Sequence, residues 1–193
     1  MVIYLRPYTC VIMFYSIFGT RFGTCGIIYK NGDAKQAIRI LLPKSKKEIK
    51  SQIARLCPGV NKETSSTING LISEISQYLE GKDIDFTKGF IDTSICYPFQ
   101  LRVLRTEWTI PRGKTATYGW IAEKIGTRGV RAVGNANARN PFPMVIPCHR
   151  VIRSDRTLGG FGGGLDMKRR LLEMEGIRFD SSGRVMAEYT MPF

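Results

Sequence analysis

The sequence of 193 residues contains a single histidine, His149. A zinc site built on several histidines is therefore excluded, and any metal site would need scattered cysteines. The five cysteines include no CxxC pair, and their odd number argues against a full set of disulfides. We expect no bound metal and an intracellular protein with reduced thiols, in which Cys10, Cys25, Cys57 and Cys96 are small core residues.

The sequence also lacks an apolar run long enough to cross a bilayer, which takes about 20 residues. Residues 8–18 follow Arg6 and superficially resemble a secretory signal, but the small residues of a cleavage site are missing. Their aromatic and β-branched side chains favour a buried strand. Met13 is an alternative start of the chain. We expect no membrane partner and a cytoplasmic location, or a nuclear one in a eukaryote.

Acidic residues are scarce: 16 Asp and Glu stand against 29 Lys and Arg, which gives a net charge of +13. The excess is greatest in residues 101–175, with 14 basic and 6 acidic side chains, whereas residues 176–193 are balanced. This distribution favours a polyanionic partner such as nucleic acid. A basic surface that serves only solubility is the alternative.

The first half of the chain combines strand patterns with helix patterns. Residues 15–18, 25–29 and 37–42, with the Asn31-Gly32 turn signal, predict a small antiparallel sheet. Ser45 and Glu48 form a capping box ahead of one helix, and residues 68–79 carry an apolar stripe typical of another. Polar, irregular residues 81–96 follow. We therefore predict an α+β fold with an N-terminal α/β domain at residues 1–92.

The second domain, residues 93–193, is predicted to be mostly helical. Helices are indicated at 99–108, after the cap residue Thr117, and at 128–138, with Gly126 in the turn between the last two. Two short helices around such a turn form the outline of a winged-helix-like helix-turn-helix. The outline also occurs in proteins that do not bind DNA, but its position in the most basic segment favours DNA binding.

The Pro147-Cys148-His149 step is the main candidate for chemistry. A cysteine is a nucleophile only as its thiolate, and a free thiol is only slightly ionised at pH 7, so a base must assist it. A Cys-His pair alone is often coincidence. Here it is accompanied by Asn140-Pro141 upstream, by a Gly-rich loop at 159–164, and by an amphipathic helix that ends in Glu175.

Four motifs at consistent spacing between residues 99 and 179 resemble one family, the O6-alkylguanine-DNA alkyltransferases. They are Arg131-Ala-Val-Gly-Asn-Ala136, Asn140-Pro141, Ile146-Pro-Cys-His-Arg-Val151, and Lys168 followed by Leu171-Leu-Glu-Met-Glu175-Gly176. The resemblance implies a methylated-DNA–protein-cysteine S-methyltransferase that repairs duplex DNA by direct reversal. It would act without a cofactor, as a monomer, in a single irreversible turnover.

The resemblance also implies roles for five residues near the thiol. Cys148 would accept the alkyl group from O6 of guanine, and His149 would draw off the thiol proton through a water. Glu175 would hold the imidazole, by the logic of hydrolase triads. Asn140 would brace the helix-turn-helix against the active-site loop. Tyr118 would help to rotate the nucleotide out of the duplex and would hydrogen-bond a ring nitrogen.

For DNA binding, the resemblance implies that the second helix of the motif lies in the minor groove. Arg131 would fill the gap left by the flipped nucleotide, Ala132 and Gly134 would allow close approach, and Arg139 would contact DNA. The pocket residues it implies are Val151, Gly159, Phe161, Gly162 and Lys168. Phe161 stands where many relatives have tyrosine, so a hydroxyl is missing from the pocket wall.

Three other functions compete with this interpretation. A non-catalytic binder of alkylated DNA would be expected to lack the reactive cysteine, which is present here as Cys148. A cysteine hydrolase using Cys148 and His149 would turn over repeatedly and would not require the basic helix-turn-helix. A DNA-binding regulator remains compatible with the sequence, because an alkylated acceptor can also serve as a signal.

Overall fold

The computed structural model describes residues 12–31 and 35–192. The chain divides into two compact units, one ending at Thr93 and the other beginning at Ser94. Met1, Cys10 and Gly32 of the predicted turn lie outside the described residues. No helix in the described ranges has both the length and the apolar character that a membrane span requires.

The N-terminal unit is built on a four-stranded sheet with the order β3-β2-β1-β4. Its strands are β1 (Met13–Thr20), β2 (Gly23–Lys30), β3 (Ala37–Lys44) and β4 (Asn61–Lys62). The first three pair in antiparallel fashion, as predicted, and β4 adds a short parallel edge to β1. Gly23 has a φ of +124°, and a Cβ there would come within 2.9 Å of the Lys44 carbonyl oxygen. The first residue of β2, which lies beside the end of β3, therefore has to be glycine.

The N-terminal unit also has two helices: α1 (Lys46–Leu56) follows β3, and α2 (Ser66–Leu79) follows β4. The predicted capping box is present: the Ser45 hydroxyl accepts from the Glu48 amide at 3.3 Å, and the Glu48 carboxylate accepts from the Ser45 amide at 3.1 Å. Ile49 and Ile53 of α1 are buried, and α1 packs against β2. The apolar stripe of α2 is likewise buried, which is the core role expected for it.

The C-terminal unit contains four helices: α3 (Pro98–Trp108), α4 (Tyr118–Lys124), α5 (Val130–Ala138) and α6 (Leu165–Met174). Two short strands, β5 (Ala116–Thr117) and β6 (Val151–Ile152), pair in parallel. Helices α3, α4 and α5 contact one another around a shared core. The buried members of that core are Val103, Ile110, Ala116, Trp120, Ile121, Ala122, Ile125, Val133, Ala136 and Val151.

The helix-turn-helix outline corresponds to α4 and α5. Thr117 caps α4 by accepting from the Trp120 amide at 3.0 Å, and Gly126 ends the segment with a φ of +68°. Helix α5 begins at Val130, two residues later than predicted, because the Thr127 hydroxyl accepts from the Gly129 amide and holds this stretch in a turn. The predicted α+β fold is confirmed, while the wing remains a prediction.

Candidate active site

Cys148 lies at the start of a 3-10 turn, Cys148–Arg150, that leads directly into β6. The residue is only 5% exposed, and its amide donates to the Ile146 carbonyl at 2.8 Å. The turn therefore holds the sulfur within the unit instead of presenting it on the surface. A reacting group must enter the site to reach it.

Asn140 links the end of α5 to the loop that carries the thiol. Its side-chain nitrogen donates to the Ile146 carbonyl at 2.9 Å, and its side-chain oxygen accepts from the Phe142 amide at 2.9 Å. Both ends of the amide are thus used to fix the backbone just before Cys148. The role of Asn140 as a brace for the helix-turn-helix stays a prediction.

His149, Glu175 and Arg150 form a buried network next to the thiol. The Nε2 atom of His149 lies 3.0 Å from Oε1 of Glu175. Arg150 donates through Nη2 to Oε1 of Glu175 at 2.8 Å and through Nε to Oε2 at 2.9 Å. Its Nη1 donates to the Ile110 carbonyl at 2.6 Å. The carboxylate at the C-terminal end of α6 is therefore held by a guanidinium fork and an imidazole together.

The charges in this network follow from its contacts. Burial acts to raise the pKa of Glu175, but His149 and Arg150 outweigh it and hold that pKa well below its usual value. Burial lowers the pKa of His149 against the opposing effect of Glu175. Glu175 is thus an anion balanced by Arg150, and His149 is neutral. With Nε2–H donating to Glu175, the Nδ1 atom is the proton acceptor.

The thiol of Cys148 is protonated in the unliganded site. Burial raises its pKa to about 12, and an ionised Glu107 would act in the same direction. A hydrogen bond with Asn140 and the positive charge of Lys168 act against them. Ionisation at neutral pH therefore requires a base, because a thiol with this pKa has almost no spontaneous thiolate.

Lys168 projects from α6 into the interior and is fully buried. Its Nζ atom donates to the backbone carbonyls of Val151, Leu158 and Gly160. Burial lowers the pKa of the ammonium group to about 8. The lysine thus ties β6, which directly follows the Cys148 turn, to the start of the Gly-rich loop.

Tyr118 is the first residue of α4, and its ring lies near two glycines. A Cβ at Gly159 would lie 3.2 Å from Cε2 and 3.3 Å from the phenol oxygen, and Gly159 also has a φ of +66°. A Cβ at Gly134 of α5 would lie 3.9 Å from the ring. Burial raises the pKa of Tyr118, so the phenol keeps its proton. Glycine at 159 is therefore what leaves room for this ring.

Comparison with known proteins places this site in a family. Residues 98–177 match the family described as 6-O-methylguanine DNA methyltransferase, DNA binding domain. The methylated-DNA–protein-cysteine methyltransferase of Methanothermobacter thermautotrophicus is 43% identical over 130 residues, which cover 65% of this chain and 73% of that protein. The chain belongs to the methylated-DNA–protein-cysteine methyltransferase family.

Solved structures agree with this assignment. The crystal structure of the Mycobacterium tuberculosis O6-methylguanine methyltransferase matches with a TM-score of 0.67 at 30% identity and covers 84% of this chain and 92% of that one. A crystal structure of Mycobacterium tuberculosis OGT in complex with DNA matches with a TM-score of 0.70 at 29% identity and the same coverage. The methyltransferase family thus has members of this fold that bind DNA.

Arg131, Ala132 and Gly134, which the family resemblance assigned to DNA contact, lie on α5, and Arg139 caps its C-terminal end. Arg131, Ala132 and Arg139 are exposed and share one face of the helix, and Gly134 is half-buried at its edge. They form a surface outside the buried network around Cys148. Gly134 and Tyr118, which was also predicted to help rotate the nucleotide, lie where this surface meets the site.

The five predicted pocket residues differ in burial. Val151, Gly159 and Lys168 are buried, and they lie in the interior beside the Cys148 turn or the Tyr118 ring. Phe161 presents its ring edge-on to His149, with a centroid distance of 6.4 Å and an interplanar angle of 74°. Gly162 lies exposed in the loop.

Sequence reasoning missed three residues of the site: Arg150, Glu107 and Asn137. Arg150 stands inside the quoted cysteine motif but was given no role. Glu107 is fully buried, and Asn137 is 6% exposed. A signal for Glu107 was available, because it follows the apolar residues Val103 and Leu104 by four and three positions and so shares their helix face.

The structure describes three further cysteines, of which Cys96 is half-buried and so is not the core residue that was predicted. Cys25 and Cys57 are buried in the N-terminal unit, and burial raises the pKa of Cys25 to about 12. The four cysteines that the structure describes form no disulfide. Within residues 12–31 and 35–192, no three His, Cys, Asp or Glu side chains are grouped so that they would hold a metal ion.

Proposed function

We propose that this protein repairs alkylated DNA by transferring an alkyl group from O6 of guanine to the sulfur of Cys148. The observation that carries the proposal is the buried thiol adjacent in sequence to His149, whose imidazole is held 3.0 Å from an ionised Glu175. A shielded thiol with its own base is suited to attack one specific carbon that enters the site. The family membership of the chain supports the same reaction.

The transfer balances as a displacement at carbon. The Cys148 proton passes through a water to Nδ1 of His149, and the thiolate attacks the alkyl carbon. The carbon–O6 bond breaks, and its electron pair stays with the guanine. The phenol of Tyr118 donates a proton to a ring nitrogen of the departing base and is later reprotonated from solvent. The product thioether has no route to hydrolysis, so each molecule acts once.

The electrostatics of the site support this order of events. Cys148 starts as a neutral thiol, and His149 starts neutral with Nδ1 as the acceptor. When His149 takes the proton, the imidazolium is stabilised by the Glu175 carboxylate beside it. Arg150 keeps that carboxylate ionised beforehand. Glu175 therefore makes His149 a stronger base for the Cys148 proton than the burial of the imidazole alone would allow.

Access to O6 requires the nucleotide to leave the base stack, at a cost of a few kcal/mol. The exposed face of α5 is the proposed DNA surface, with Ala132 and Gly134 allowing close approach in the minor groove and Arg139 available for phosphate contact. Arg131 would occupy the space left by the flipped nucleotide. A monomer suffices, since every proposed residue lies in one unit of the chain.

The test is incubation with a duplex that carries one O6-methylguanine, followed by peptide mass spectrometry. We expect one methyl group per protein molecule, on Cys148, and no further loss of lesion after one equivalent. Cys148→Ser should abolish transfer but retain DNA binding, because only the nucleophile is removed. Cys96→Ser is the matched control and should transfer normally. Repeated turnover, or lesion loss with Cys148 unmodified, would overturn the proposal.

The role of Arg131 is tested separately. Arg131→Ala should slow transfer by about tenfold or more while leaving the thiol intact, because flipping is opposed by a few kcal/mol of stacking and pairing. A duplex with 2-aminopurine at the target position reports flipping by its fluorescence. Arg184→Ala, an exposed arginine outside α5, is the matched control. Normal flipping and transfer by Arg131→Ala would contradict the assigned role.

A further inference from the structure

Glu107 is a buried acid to which the transfer reaction assigns no role. It lies on α3 beside the buried residues Val103 and Leu104 and is itself fully buried. A carboxyl group among apolar side chains destabilises a fold unless it is hydrogen-bonded. Glu107 therefore needs a hydrogen-bond partner inside the unit.

The partner is Asn137 on α5, a helix that packs against α3. The side-chain amide of Asn137 lies against the Glu107 carboxyl group, and the amide atom that faces it is 2.8 Å from Oε1 and 3.3 Å from Oε2. Burial raises the pKa of Glu107 well above its usual value, so the protonated acid donates to the Asn137 oxygen and leaves the amide nitrogen for another partner. Because both residues are buried, the carboxyl group determines which way the amide points.

Asn137 connects this pair to the reaction site. Its amide nitrogen donates to the phenol oxygen of Tyr118, a hydrogen bond that acts to lower the pKa of the phenol and leaves the phenol proton free for the base. The Tyr118 ring already lies against Gly134 and Gly159, so Asn137 fixes the remaining polar end of the side chain. Glu107 also lies close enough for its ionisation to affect Tyr118, Cys148 and Lys168, which places it beside the same pocket.

We propose that Glu107 and Asn137 form a buried carboxyl–amide pair that positions the phenol of Tyr118 to protonate the departing guanine. This inference rests on the proposed function. Neither Glu107 nor Asn137 touches the base or the alkyl group, so both are positioning residues. They hold the Tyr118 oxygen in place while its proton moves to the ring nitrogen and the carbon–O6 electrons settle on the base.

The test is a double-mutant cycle between Glu107→Leu and Tyr118→Phe. The measured quantity is the single-turnover rate constant for methyl transfer from a saturating O6-methylguanine duplex. Glu107→Leu should slow transfer by about tenfold, the effect of a lost positioning hydrogen bond. In the Tyr118→Phe background the same change should slow transfer less than about twofold, because its target is gone.

Two further variants separate positioning from folding. Glu107→Gln keeps a side-chain donor, its amide nitrogen, to the Asn137 oxygen, so transfer should stay within about threefold of the unsubstituted rate. Asn137→Ala removes the link itself and should repeat the tenfold loss and its dependence on Tyr118, which keeps the test decisive if Glu107→Leu does not fold. Thermal unfolding and the dissociation constant for the duplex are measured for each variant.

Equal losses in both tyrosine backgrounds, or an unchanged rate in Glu107→Leu and Asn137→Ala, would overturn this inference and leave alkyl transfer to Cys148 standing. Failure of the unsubstituted protein to methylate Cys148 would overturn the proposed function, and the inference with it. Whether the unsubstituted protein becomes methylated on Cys148 therefore distinguishes the two failures.

Discussion

The region around Glu175 and the region around Glu107 present the same chemical group under opposite conditions. Both carboxyl groups are buried in the C-terminal unit, at 7% and 0% exposure. Glu175 meets the guanidinium of Arg150 and the imidazole of His149, and its pKa lies well below the usual value. Glu107 meets the amide of Asn137, and burial raises its pKa well above the usual value, with only Lys168 opposing.

The difference shows that burial alone does not decide the charge of an acid. A guanidinium fork supplies two donors and a full positive charge, which together compensate for desolvation at Glu175. A neutral amide brings no positive charge to Glu107, so Glu107 is most stable as the protonated acid, which donates to the amide oxygen. One carboxyl group can therefore stabilise a developing imidazolium, whereas the other can orient a neighbour without adding an anion beside the thiol.

The largest effects on stability and on transfer are expected when Glu175 loses its negative charge. Glu175→Gln keeps the shape but leaves the Arg150 guanidinium largely buried without its counter-ion, so unfolding should become easier by about 3 kcal/mol. Transfer should slow by about 100-fold or more, because the imidazolium loses its stabilising charge. Chemical denaturation and single-turnover kinetics measure the two quantities. Glu188→Gln, which removes an exposed carboxylate 3.8 Å from Arg178, should change stability by less than about 0.5 kcal/mol.

Acid should reduce the difference in unfolding free energy between the unsubstituted protein and Glu175→Gln. Because the pKa of Glu175 is depressed on folding, its contribution is present above the unfolded value of 4.5 and is lost as the pH falls below it. Glu175→Gln lacks this term, so its unfolding free energy should approach that of the unsubstituted protein at low pH. A gap that stays constant down to pH 3 would mean that Glu175 is not held ionised by His149 and Arg150.

The same contrast explains which acid was found from the sequence. Glu175 stands at a fixed spacing from Cys148 within a recognisable set of motifs, so a role for it was predicted before any geometry was known. Glu107 lies outside those motifs. Helical spacing from Val103 and Leu104 placed it on the buried face of α3, but its partner Asn137 is brought to it only by the packing of α3 against α5.

Local structure was predictable where one short segment contains both partners. Ser45 and Glu48 satisfy each other within one turn, so the capping box at the start of α1 could be read directly from the sequence. The strands β4, β5 and β6 were not predicted. Each has two residues, too few to show an alternating pattern, and each forms only because a distant segment of the same unit supplies hydrogen bonds.

The smallest effect, and the one that sharpens the comparison most, is expected at Glu107. Because the pKa of Glu107 is raised on folding, the folded state still binds a proton that the unfolded state releases above about pH 4.5. The unfolding free energy therefore falls as the pH rises from about 4.5 to the raised pKa of the folded state. Glu107→Gln removes this fall. The variant should match the unsubstituted protein near pH 4 and exceed it by about 1 kcal/mol at pH 8.

Lys168, Cys148 and Tyr118 are the other titratable groups coupled to Glu107, and Glu107→Gln leaves all three in place. Glu123→Gln on the exposed side of α4 is the matched control and should show no such dependence on pH. Denaturation curves at several pH values give both series. A stability difference that does not change between pH 4 and pH 8 would mean that Glu107 titrates normally. Opposite pH slopes for Glu107→Gln and Glu175→Gln would establish that one fold holds one acid neutral and the other ionised.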